Sequence, residues 1–213
     1  GFQDKLSDEQ IRSLVIYLRE IELQAQRENE GTNWSRKKRS YASTHHRFRL
    51  EEICDSKGQI WAIDALPDGR LILTEIDGAL RILDLEKKKL GKPIRGTPRI
   101  WRNGQGGLLE VGVHPDYEEN GWIYLGFSES QSRADGKGGG MTAIERGRIR
   151  RGRWVDREPI FRAPQKYHRS SRVHFGTRFV FEDGALFFGI GDRGQADHAQ
   201  DLSRPNGKIH RIH

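Results

Sequence analysis

Apolar positions change their spacing partway along the chain, and the change divides it. Between residues 7 and 23, in SDEQIRSLVIYLREIEL, Ile11, Leu14, Val15 and Leu18 recur at helical spacing and share one face. Ser7 and Gln10 fit a capping box, and Asp8 and Glu9 suit the positive end of a helix dipole. The pattern predicts one N-terminal α-helix whose apolar stripe must pack against something. From Glu20 to Arg47 no period survives, and the polar, basic composition predicts a linker. From Phe48 onward, short apolar runs alternate with turn residues. Residues 60–85, 108–129 and 173–194 each read as strands joined by tight turns, with Asp68-Gly69, Asp77-Gly78 and Asp183-Gly184 as turn signals. A repeat of roughly 50 residues built only from short strands and Gly/Asp turns is the sequence form of propeller blades. The predicted fold is therefore all-β, a partial β-propeller of about three blades, with the one α-helix ahead of it. A propeller closes only with about four to eight blades, so the chain is expected to be part of a longer protein. A β-sandwich or a stack of hairpins is the competing arrangement for the same pattern.

Charge narrows the function classes. The net charge is +7, and much of it is local, in Arg36-Lys37-Lys38-Arg39 and in the cluster between Arg146 and Arg153. These read as solvated linker and strand-edge charge, with a docking surface for an acidic partner as the alternative. No basic–aromatic alternation of the RNA-binding kind occurs, so no nucleic-acid partner is expected. No apolar run approaches the ~18 residues that span a bilayer, so no transmembrane segment is expected. The chain begins Gly-Phe-Gln without a Met, a basic n-region or an apolar h-region, so either a removed leader or an upstream start is expected. A single cysteine, Cys54, excludes an internal disulfide and a multi-Cys metal site. Gly136–Gly140 is glycine-rich, but the MTAIERGRIR that follows reads as a strand rather than the helix a phosphate loop needs.

Candidate chemistry gathers at the ends of the predicted strands. In Gly104-Gln105-Gly106-Gly107 an amide sits among glycines directly before a strand, where backbone can approach a ligand and the amide can both donate and accept. The same residues could form only a turn. His174 precedes the strand that starts the 173–194 hairpin, and Asp192 and Arg193 follow the second strand. A hairpin returns its chain to the same edge, so these groups should emerge together. An imidazole is the natural base for a hydroxyl proton at neutral pH. Arg178, four residues beyond, is expected on the same face as His174 by strand alternation, where it could hold an anionic ligand. Asp192 and Arg193 could equally be an ion pair locking the turn. The remaining histidines show no ligand spacing, Asp192, Asp197 and Asp201 lack that of a calcium loop, and no metal ligand can be named.

Four stretches together resemble the PQQ-dependent aldose sugar dehydrogenases, the soluble glucose/sorbosone dehydrogenase-like family: residues 65–83, 104–129, 174–194 and 199–212. GQGGLL with HPD, then HFG-R, then GDRG, is a specific combination. The resemblance implies a six-bladed propeller with pyrroloquinoline quinone (PQQ) on its axis and Ca2+ beside the quinone. It implies that His174 is the base that takes the C1 hydroxyl proton of an aldose while hydride passes to the quinone. Gln105, Arg178, Asp192 and Arg193 are then the expected cofactor-binding residues. The segment LSDEQIRSLVIYLRE resembles the closing helix of a class I c-type cytochrome. The implied organisation is a cytochrome-like end over 1–30, a basic linker over 31–47 and the N-terminal part of the propeller over 48–213. Haem c would lie in an upstream domain, since no Cys-x-x-Cys-His occurs here, with a c-type cytochrome as electron acceptor and a periplasmic or exported location. The chain alone is expected to be inactive. The rival reading is a catalytically silent propeller that binds carbohydrate or a protein partner.

Overall fold

The computed structural model describes residues 40–42, 44–130 and 139–213. The helix expected over 7–23, and with it the cytochrome-like segment, lies outside the described residues. Contacts divide the chain into two units, before and after the Glu52–Ile53 bond. In the first, β1 (Ser40–Ala42) pairs antiparallel with β2 (Arg47–Arg49), with Tyr41 registered opposite Phe48. The linker expected over 31–47 thus contains a strand.

The second unit consists of three antiparallel meanders. The first orders β3 (Ile60–Ala65), β4 (Leu71–Glu75), β5 (Leu80–Asp84) and β6 (Lys89–Leu90). The second orders β7 (Leu108–Val113), β8 (Ile123–Ser130), β9 (Gly140–Arg150) and β10 (Arg153–Arg162). The third orders β11 (Phe179–Glu182), β12 (Ala185–Ile190) and β13 (Lys208–Ile212). Each is a propeller blade, and the opening strands β3 and β11 both contact β7. The turn between β11 and β12 shows why this sequence makes hairpins. Glu182 is registered opposite Ala185, leaving Asp183 and Gly184 at φ +50° and +70°. Both φ values are those of a type I′ turn, whose twist matches that of the strands.

Blades pack face to face through alternate residues of each strand. Ala62, Ile72 and Leu80 of the first blade meet Leu108, Ile123 and Trp154 of the second. Tyr124, Met141 and Ile144 of the second blade meet Leu186, Phe188 and Ile190 of the third. Each such aliphatic or aromatic side chain contributes about 1.5–3 kcal/mol when fully buried. Apolar contact alone does not fix how one blade slides along the next; buried polar groups do. The Thr74 hydroxyl donates to the Leu109 carbonyl at 2.6 Å, and Asp64 accepts from the Val113 N–H at 2.7 Å. On the other side of the second blade, the Thr142 hydroxyl donates to the Phe175 carbonyl at 2.6 Å. Strand direction then settles which loops meet. β7 starts three residues after Gln105, β11 starts after His174, and β12 ends just before Asp192. All three loops leave the sheets at one rim.

Candidate functional site

At that rim the Gln105 turn and the His174 loop are joined directly. The Gln105 N–H donates to the Arg172 carbonyl at 2.8 Å, and the Gln105 side-chain oxygen accepts from the His174 N–H at 2.8 Å. Arg102 holds the turn from beneath, donating to the carbonyls of Gly104 and Gly106 and to Asp77. The amide is thus spent partly on the protein, accepting with its oxygen while its NH2 can still donate. His174 itself has φ +56°, a left-handed conformation that costs a non-glycine residue about 1–2 kcal/mol. It persists because both flanks are held. The close fit extends to Gly191, where an added Cβ would stand 2.2 Å from the His174 carbonyl oxygen. Gly191→Ala is therefore expected to lower stability by about 1–3 kcal/mol, read from the urea midpoint, and to displace the imidazole.

The imidazole meets a carboxylate. His174 Nδ1 lies 2.6 Å from Asp192 Oδ1, which also accepts the Gly194 N–H at 2.8 Å. The His174 contact, followed by the Gly194 N–H, holds the Asp192 carboxyl below its ordinary range. An ionised carboxylate only accepts, so Nδ1 carries the hydrogen, and in the neutral imidazole Nε2 presents a lone pair. The His174 side chain is 53% exposed, so that lone pair is accessible. A base oriented by a buttressing carboxylate, on a rim open to a ligand, is equipped to remove a proton from a hydroxyl group.

Two sequence expectations need correction. Residues 174–178 are not a strand; His174, Gly176 and Thr177 all have positive φ, so alternation does not put Arg178 beside His174. Arg178 instead donates to Glu110 of β7 at 2.9 Å, and no hydrogen bond or ion pair joins it to Gln105, His174 or Asp192. Arg193 does not pair with Asp192 and presents no surface to a cofactor: its side chain is wholly buried. Burial, then the nearby Arg169 charge, brings its pKa down to about 10, which leaves it charged at neutral pH.

Sequence reasoning missed Glu110, although a lone acid inside LLEVGV was the visible signal. Burial raises its pKa, opposed by Arg178. A carboxyl whose folded pKa is raised loses stability as pH climbs through and above the ordinary carboxylate range. Removing the counter-charge makes that worse. Arg178→Met is expected to cost about 1–3 kcal/mol at pH 8 and distinctly less near pH 4, where Glu110 takes up a proton; paired denaturation curves check both.

At the opposite rim a groove of about 480 Å³ opens between the second and third blades, lined by His114, Tyr124, Arg146, Phe181 and Asp183 among others, and it touches none of the dyad residues. Among the described residues no three His, Cys, Asp or Glu side chains gather as a metal cage.

Residues 58–213 match the glucose/sorbosone dehydrogenase family. The aldose sugar dehydrogenase YliI of Escherichia coli K12 is 36% identical over 167 residues, covering 76% of this chain and 43% of that protein. Among solved structures, the soluble aldose sugar dehydrogenase of Escherichia coli in its apo-form superposes with a TM-score of 0.68 at 36% identity, over 76% of this chain and 46% of that one. The PQQ-bound aldose sugar dehydrogenase of Streptomyces coelicolor shares the fold, with a TM-score of 0.65 at 23% identity, over 76% of this chain and 47% of that one. The chain thus spans about half the length of these relatives. Its three blades, the joined Gln105 and His174 loops and these matches lead to one conclusion: the chain belongs to the glucose/sorbosone dehydrogenase family.

Proposed function

We propose that the chain is part of a PQQ-dependent dehydrogenase that oxidises an aldose at C1, with His174 as the base. The observation that carries this reading is the His174–Asp192 contact, which leaves Nε2 as an outward-facing acceptor on a rim shared with Gln105. The donor set suits a quinone bearing several carboxylates: the Gln105 NH2 can donate, and Arg172 is exposed immediately beside it. When bound, the quinone supplies the two-electron sink for the C1 hydrogen and its electron pair. This chain supplies the proton acceptor. His174 Nε2 takes the C1 hydroxyl proton, and Asp192 stabilises the resulting imidazolium without taking the proton itself. Gln105 fixes the backbone from which the imidazole projects. No step is assigned to Ca2+, because the described residues offer it no cage.

The wider assignment follows from the N-terminal sequence. A segment whose sequence resembles the closing helix of a c-type cytochrome, joined through a basic stretch, would tether a haem c acceptor to the propeller at high effective concentration. A periplasmic or exported location goes with that acceptor, and the 213-residue chain by itself is inactive on this reading. The test is dye reduction by aldoses, using the full-length protein reconstituted with PQQ and calcium. Turnover that depends on PQQ supports the assignment. Sugar binding without turnover would instead favour the silent carbohydrate-binding propeller.

A further inference from the structure

Arg193 is fully buried, yet among the described residues it joins no ion pair. Its Nη atoms donate to three backbone carbonyls, those of Ser171, Val173 and Gly140. Its guanidinium carbon lies 3.4 Å from the centre of the Phe175 ring. Phe175 is in turn buried among Ile76, Trp101 and Leu109, and its carbonyl accepts the Thr142 hydroxyl. Residues 171, 173 and 175 are therefore all gripped from inside the protein. Residues 172 and 174 lie between them and are tied outward, both to Gln105. Inner and outer attachments alternate along five residues, with His174 the last one held from outside.

We propose that Arg193 is a positioning residue for His174, fixing the 171–175 backbone so that the imidazole meets Asp192 with Nε2 outward. The proposal rests on His174 being the base. Adjacent residues thus hold the loop in two ways, Asp192 by the imidazole and Arg193 by the main chain. A guanidinium is suited to this as an ammonium is not: its planar fork reaches several carbonyls at once while its face lies on an aromatic ring. It remains charged; burying a cation calls for compensation, which the Nη donors and the ring supply here, while Nε is buried without a hydrogen-bond partner. Without the fork, the carbonyls lose their donors and the left-handed φ of His174 loses half of its support. An error of about 1 Å in placing a catalytic group can cost on the order of 10²-fold in rate.

The test reads the geometry in full-length protein without added cofactor. The His174 Nδ1–H, held by Asp192, gives a downfield proton resonance, assigned by its loss in His174→Gln. Arg193→Lys keeps the charge and removes the fork; Phe175→Leu keeps the fork and removes the ring beneath it, and guards against a lysine variant that does not fold. In both, the resonance is expected to vanish or exchange with water at least about 10-fold faster. After reconstitution, kcat is expected to fall about 10–100-fold with KM within about threefold. A drop in Tm alone, with the resonance and kcat preserved, overturns the proposal and leaves Arg193 a structural plug. The two readings fail separately: an His174→Gln enzyme with full activity would remove His174 as the base, yet the resonance would still report whether Arg193 holds the loop.

Discussion

Replacing His174 by glutamine in the reconstituted full-length enzyme is expected to lower kcat by about 10²–10⁴-fold, the usual contribution of a general base. The loss lies in proton transfer rather than in binding. Asp192 is an acceptor 2.6 Å from Nδ1, so in the neutral imidazole the unprotonated nitrogen is Nε2, the one proposed to meet the substrate hydroxyl. Glutamine can hydrogen-bond the same hydroxyl but cannot take its proton. KM and PQQ affinity are accordingly expected to stay within a few-fold, because Gln105 and Arg172, the residues proposed to hold the quinone, are unchanged. Steady-state kinetics and a PQQ titration separate the two effects. Loss of both together would mean that the loop had collapsed.

The Asp192→Asn variant is expected to lose on the order of 10²–10⁴-fold in kcat while keeping the fold, since an amide that donates to Nδ1 forces the imidazole into the tautomer with hydrogen on Nε2. Its pH behaviour has a definite sign. The Asp192 carboxyl is held below its ordinary range, chiefly by His174. The stability linked to it is complete above the unfolded value of about 3.9 and is lost as pH falls through the depressed folded one. The stability deficit of Asp192→Asn relative to the parent is therefore expected to be full at pH 6 and to shrink below about pH 4. Chemical denaturation at pH 3, 4.5 and 6 measures it. A deficit that grew on acidification would show the carboxylate to be protonated, and the buttress absent, at working pH.

Strands were legible because their signals are local. Asp183-Gly184 between apolar runs specifies its own turn and register, and the same logic holds at Asp68-Gly69. The meeting of His174 and Asp192 was also legible, because a hairpin returns its chain to the same rim; Gln105 joins them from the neighbouring blade. What the sequence hid depends on a few backbone angles. Counting two residues per strand period from His174 to Arg178 fails, since three positive φ values intervene. The inward turn of Arg193 was equally invisible. Charged side chains default to the surface, and only the Phe175 ring and three carbonyls already facing inward make its burial possible. Glu110 needed the opposite inference, a buried acid kept in place by an exposed arginine on the next blade.

The most direct measurement is a crystal structure of the full-length protein with PQQ and an aldose bound. The account predicts the sugar C1 hydroxyl within hydrogen-bond distance of His174 Nε2, with Nδ1 still on Asp192 and Arg193 enclosed behind Phe175. Finding the quinone and sugar at the far rim, between His114 and Phe181, or the C1 hydroxyl against any other base, would contradict it.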